Sequence, residues 1–178
     1  LGILLYNIPA LATEIDVDTV VRLATTQPNI IGIKDTSGNL PNLIRMRNRI
    51  PDKRPDFRFF VGWDGLLATA LSLGADGGMV ASANVVPEVM VSIRDHCDRG
   101  DYPAAFSLQS RLLPLFDAML AVDEFPEGFR IGVAARGLQV GESRVSYSDT
   151  TRKEHTKARG TIGNSVKELL SGLKATAE

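Results

Sequence analysis

One lysine stands where lysines are seldom found. Lys34 closes the apolar run Ile30-Ile31-Gly32-Ile33, so a cationic amine is attached to what reads as a buried strand. A free lysine amine has a pKa of about 10.4 and is nucleophilic at neutral pH only when desolvation or neighbouring charge lowers it. A neutral amine in such a setting attacks a ketone, and the resulting Schiff base is an electron sink for breaking or making a carbon–carbon bond. The other reading is a strand-end lysine whose stem snorkels toward solvent or whose charge pairs with Asp35. Tyr6 lies 28 positions before Lys34, at the end of the apolar run Leu1 to Ile8, and Gly62 lies 28 positions after it. A phenol with a pKa of about 10 is a workable proton shuttle beside such an amine; alone it would read as a buried tyrosine bonded to backbone.

The elements that must position these residues follow from periodicity. Leu1–Ile8, Ile30–Lys34, Phe57–Val61 and Gly78–Ala83 read as four buried strands. Between them lie helical patterns: one beginning at Val17 behind the N-cap Asp16 and stopping near Gln27-Pro28, one through Leu43, Ile44 and Met46 that breaks at Pro51, and one from Leu66 to Leu73. Pro87 sits where the first turn of a further helix begins. Strand–helix units in succession predict parallel strands with right-handed crossovers, and chemistry in such folds collects at the C-terminal strand ends. From Asp101 onward the spacing is helical, through Ala104 to Met119, then Ile131 to Leu138 and Ser165 to Leu173. The expected division is therefore a β/α portion over 1–100 and a helical portion over 101–178.

Other polar groups are assigned lesser roles. Asp64, within Gly62-Trp63-Asp64-Gly65, is placed to hydrogen-bond substrate hydroxyls, while Asp76 reads as a turn residue. His96 and His155 lack partners at metal-ligand or triad spacing and read as surface residues. Cys97 is the single cysteine, which excludes an internal disulfide and fits a reducing compartment such as the cytoplasm. No glycine pattern for a dinucleotide or P-loop is present.

Four stretches carry a resemblance: YNIP at Tyr6–Pro9, GIKDTSGNL at Gly32–Leu40, VGWDGLL at Val61–Leu67, and LGADGG with the following Ala83-Asn84. In order and spacing they resemble the pyruvate-dependent class I aldolase superfamily that includes dihydrodipicolinate synthase and N-acetylneuraminate lyase. The resemblance implies a TIM (β/α)8 barrel, of which this chain supplies the last four β/α units plus a C-terminal helical domain. It implies Lys34 as the Schiff-base lysine and Tyr6 as the proton shuttle, with Thr36, Gly62, Asp64 and Met79 lining the substrate pocket. No metal or organic cofactor is implied, and a homo-oligomer, commonly a tetramer, is expected.

Departures from the family pattern narrow the substrate. Leu11 stands where dihydrodipicolinate synthases carry a carboxylate-binding arginine, and Gly65 and Ala81 replace hydroxyl-binding groups of neuraminate lyases. The segment DGGMVASANVVPEV is similar to that of aldolases acting on 2-keto-3-deoxy sugar acids, which give pyruvate and an aldehyde. Dihydrodipicolinate synthase, a hydratase-aldolase and N-acetylneuraminate lyase are the alternatives, and a non-catalytic family member is the alternative of another class.

Length and charge complete the picture. With 178 residues, 44% apolar, 23% charged and a net charge of −1, the chain is a globular one and not a disordered one. The run Arg45, Arg47, Arg49, Lys53 and Arg54 lacks interleaved aromatics and reads as a solvated helix end, so neither a nucleic-acid nor a membrane partner is expected. A closed eight-stranded barrel takes about 250 residues, so the N-terminal half, in which the resemblance implies a carboxylate-binding threonine loop and a second tyrosine, is expected to lie outside this chain. The chain alone is accordingly expected to be inactive or nearly so.

Overall fold

The computed structural model describes residues 1–50, 52–141 and 143–175. Four parallel strands, β1 (Ile3–Asn7), β2 (Ile30–Asp35), β3 (Arg58–Val61) and β4 (Gly77–Gly78), form one sheet in sequential order. The crossovers are α1 (Val17–Thr26), α2 (Leu40–Arg49) and α3 (Leu67–Ser72), the last preceded by a 3-10 turn at Asp64–Leu66. Then come a second 3-10 turn at Ala81–Asn84, α4 (Pro87–Asp98), α5 (Tyr102–Leu120), α6 (Glu127–Ala135) and α7 (Asp149–Ala175).

Two compact units result: residues 1–80 with 96–102, and residues 81–95 with the chain from 103 onward. In the first, alternation sorts each strand into two faces. Ile33, Phe59 and Val61 point to the helix-covered side and are buried with Val20, Ala24, Leu43, Met46 and Ala68 from α1, α2 and α3. Leu4 and Tyr6 point the other way and are 37% and 48% exposed. The core side is further tied by an edge-to-face pair, Phe57 against Phe59 at 5.2 Å, with the Arg47 guanidinium over the Phe59 ring.

Capping explains where the helices begin. Asp16 accepts from the Thr19 N–H at 2.9 Å to start α1, and Asn39 accepts from the Asn42 N–H at 3.2 Å to start α2. α1 has no basic residue in its last turn; Arg54 serves there instead, its guanidinium donating to Ala24 O in that turn, to Gln27 O at the C-cap and to Ile30 O at the start of β2 while held by Asp56. Asp76 does more than turn the chain. Its carboxylate accepts from the Phe59 N–H at 2.8 Å and from Arg58 at 3.1 Å, joining the starts of β3 and β4.

In the second unit α6 packs on α7, and Gly132 brings α6 close to Val85 and Met119. Phe116, Phe125 and Phe129 form an aromatic chain with centroid separations of 6.4 and 5.7 Å. Arg136 donates to both carboxylate oxygens of Glu88 and to Val85 O, fixing the entry to α4.

Some sequence expectations need correction. The fourth strand is two residues long, because Ala81–Asn84 coils into a 3-10 turn in place of continuing the sheet. The last helix starts at Asp149, sixteen residues before the expected Ser165, its polar first half showing little apolar periodicity. His155 is half-buried: its ring stacks edge-on against Tyr147 at 4.8 Å and its Nε2 is enclosed. Cys97 is buried beside Ala68 O, and burial pushes its thiol pKa up. Pro51, where the second helix was expected to break, lies outside the described residues.

Candidate active site

The register aligns the two chemistry-bearing residues. Tyr6 pairs with Lys34 across β1 and β2, so both side chains leave the sheet on the same face, near the C-terminal strand ends. The Lys34 ammonium lies over the Tyr6 ring, 4.0 Å from its centroid. This lowers the Tyr6 phenol below its ordinary value of 10.0, chiefly because Lys34 hydrogen-bonds the phenolate form; partial burial opposes the shift, and Thr36 and the lysine charge add to it. Thr36 Oγ1 is enclosed and makes no hydrogen bond of standard length.

Lys34 does not pair with Asp35. Consecutive strand residues face opposite sides, and Asp35 is turned toward the helices at 9% exposure. There its Oδ1 accepts from Asn7 Nδ2 at 3.0 Å and from the Ser37 N–H at 2.9 Å. Asn7, 2% exposed, is the register partner of Asp35, and its Oδ1 accepts from the Ile15 N–H at 3.0 Å.

Gly62 is the third member of the cluster, though the register partner of Lys34 on β3 is Phe60. Gly62 follows the end of β3, and a Cβ there would stand 2.8 Å from Lys34 Cε and overlap Thr36 Oγ1. A glycine at 62 thus leaves room for the lysine stem to cross over it. Tyr6, Lys34, Thr36 and Gly62 are brought together. Asp64 and Met79 share their sheet edge: Asp64 is 3% exposed at the start of the 3-10 turn, whereas Met79, 42% exposed, follows β4 with its N–H on Val61 O at 2.9 Å. Leu11, in the loop after β1, is 78% exposed.

The sequence reading passed over Asn7 and gave Asp35 only a salt-bridge role. Their signal was present: a polar residue follows both Tyr6 and Lys34, and those pairs are 28 positions apart. Among the described residues, no group of three or more His, Cys, Asp or Glu is gathered to hold a metal ion, and no helix is long and apolar enough to cross a membrane.

Comparison with known proteins places this arrangement. The chain is 40% identical over 116 residues to a probable 2-dehydro-3-deoxy-D-pentonate aldolase, YjhH, of Escherichia coli K12, a match covering 65% of this chain and 38% of that protein. It is 31% identical over 163 residues to the 4-hydroxy-tetrahydrodipicolinate synthase of Listeria welshimeri, covering 91% of this chain and 54% of the relative. The structure of YagE, a prophage protein of the dihydrodipicolinic acid synthase family from E. coli K12 in complex with pyruvate, superposes with a TM-score of 0.80 at 26% identity over 95% of this chain and 56% of that one. The chain thus spans about half the length of the relatives it matches. Its four parallel β/α units and following helices have the architecture of part of a TIM barrel with its C-terminal helices. With residues 1–164 matching the family model throughout, the chain belongs to the dihydrodipicolinate synthetase family.

Proposed function

We propose that this chain carries the Schiff-base half of a class I pyruvate-dependent aldolase acting on a 2-keto-3-deoxy sugar acid. The observation that carries the reading is the Lys34 ammonium 4.0 Å over the Tyr6 ring, on register-paired strand ends in a chain of this family. The Lys34 amine adds to the C2 carbonyl carbon of the keto acid, and Tyr6 relays a proton to the carbinolamine oxygen, which leaves as water to give the iminium. Tyr6, as phenolate, then takes the proton of the C4 hydroxyl. The C3–C4 bond breaks, its electron pair enters the iminium to form an enamine, and the aldehyde departs. The enamine takes a proton at C3 from Tyr6, and water hydrolyses the imine to release pyruvate and the free amine.

Thr36, Gly62, Asp64 and Met79 are assigned to the pocket, and no metal or organic cofactor enters the scheme. Leu11 supports a sugar-acid substrate over a dihydrodipicolinate-type condensation, since an exposed leucine supplies no cation for a second carboxylate. The similarity to a probable pentonate aldolase supports the same choice. The β/α portion over 1–100, the helical portion over 101–178, a cytoplasmic location and homo-oligomeric assembly belong to the same reading.

Tyr6 is 48% exposed, and a wet site weakens electrostatic and proton-transfer catalysis, so imine formation on this chain is expected with little turnover. Borohydride reduction in the presence of pyruvate tests the reading: it predicts one adduct per chain, mapped to Lys34 and absent from Lys34→Ala. No adduct at Lys34 refutes it. A panel of 2-keto acids assayed for pyruvate release, using the longer protein where this chain is part of one, separates sugar-acid cleavage from the synthase and hydratase-aldolase reactions.

A further inference from the structure

We propose that Asn7 and Asp35 are positioning residues, whose hydrogen bond on the helix-facing side of the sheet sets the spacing of Tyr6 and Lys34 on the opposite side. The proposal deepens the Schiff-base reading and rests on it.

The geometry points there in three ways. First, the link lies one residue beyond the chemical pair on both strands, at register partners, where a parallel sheet would otherwise fray. The main chain is joined at the same level: the Thr36 N–H donates to Asn7 O at 2.8 Å and the Gly62 N–H to Asp35 O at 2.7 Å. Second, the side chains carry the connection into both loops, through Ile15 N–H on Asn7 Oδ1 and Ser37 N–H on Asp35 Oδ1. Third, packing alone does not call for polar groups here. Burying a carboxylate is costly unless it is hydrogen-bonded, and the neighbouring strands carry Val61 and Gly78 at the corresponding level. The polar pair occurs on the two strands that bear Tyr6 and Lys34. Its loss would let the 4.0 Å separation between ammonium and ring broaden into a distribution.

The test compares Asn7→Ala, Asp35→Asn and Arg54→Ala in the 178-residue chain. Asp35→Asn keeps an Oδ1 that accepts from both Asn7 and Ser37, so it preserves the geometry without the charge. Arg54→Ala removes the tie on Ala24 O and Ile30 O at the opposite end of the strands from the pair and serves as a destabilising control. Two readouts are used: ultraviolet titration of Tyr6, isolated by difference against Tyr6→Phe, and the rate of borohydride trapping with pyruvate at Lys34. In Asn7→Ala, Tyr6 is expected to titrate closer to the ordinary value of 10.0, and trapping to slow by about 10- to 100-fold, the cost typical of misplacing a reacting group by about 1 Å. Asp35→Asn is expected to match the wild type in both, and Arg54→Ala to melt earlier with both unchanged.

Unchanged titration and trapping in a folded Asn7→Ala overturn the proposal, as does loss of both in Arg54→Ala. If Asn7→Ala does not fold, Asn7→Ser, whose hydroxyl is too short to reach Asp35, is read against the same two outcomes. Absence of any adduct on the wild type overturns the Schiff-base reading alone; the titration then decides the positioning role by itself.

Discussion

Gly62→Ala separates the chemistry from the fold. A Cβ at residue 62 would stand 2.8 Å from Lys34 Cε and overlap Thr36 Oγ1. Non-bonded carbons rest at about 3.5–4.0 Å, so the lysine stem has to retreat by about 1 Å. Both obstructing groups are side-chain atoms, and neither strand backbone is among the nearest contacts. Thr36 Oγ1, on a short β-branched side chain, must also give way, so the fold loses about 2 kcal/mol, the middle of the range of overpacking costs. A nucleophile displaced by about 1 Å loses on the order of 100-fold in rate, or about 2.7 kcal/mol of activation free energy. The assay is the pyruvate-dependent trapping rate at Lys34, read alongside thermal melting of the same sample. Trapping at the wild-type rate in a folded Gly62→Ala would show that the crossing of Lys34 over Gly62 is not what the chemistry depends on.

Three further outcomes are expected. Tyr6→Phe keeps the ring beneath the ammonium and removes the proposed proton relay, so pyruvate release, assayed in the longer protein where this chain is part of one, should fall by about 10²- to 10⁴-fold while the fold persists; unchanged release would remove Tyr6 from the mechanism. Gly128→Ala drives a Cβ into the Met119 carbonyl, a backbone obstruction, and should destabilise by about 3 kcal/mol in denaturant unfolding, the upper end of overpacking costs; near-neutral behaviour would contradict the tight α5–α6 approach. Hydrogen bonding by Arg136 holds the Glu88 pKa below its ordinary 4.5, so the folded state favours the ionised form. That contribution is present above the unfolded value and is lost as pH falls through the folded one. With Glu88 45% exposed it is worth about 0.5 kcal/mol, so Glu88→Gln should cost that much at pH 7 and nothing well below pH 4; a pH-independent difference would reject the assignment.

Much of the first unit was legible from the chain because its signals are local. Asp16 caps α1 as its residue type demands, and apolar runs between turn residues mark β1 to β3. β4 was overread because Val80 and Ser82 are buried outside any strand as deeply as in one, and burial alone does not distinguish the two. α7 was underread because Ile162, Val166 and Leu169 mark only its second half as apolar. At the site, Lys34 and Tyr6 stood out by type and placement. The Asn7–Asp35 bond did not, since it depends on register, a property of two strands together and not of either sequence alone.

The Arg54 and Asp76 ties sit at the opposite edge of the sheet from Lys34, where α1 ends and β3 and β4 begin. They divide labour along the strand axis. Cross-links that hold the β/α units in place are grouped at one end, and the loops that would meet an aldehyde are attached at the other. A segment such as Ala10–Glu14 can then change in length or polarity without disturbing Arg54 or Asp76, leaving substrate preference free to drift on a scaffold anchored from beneath.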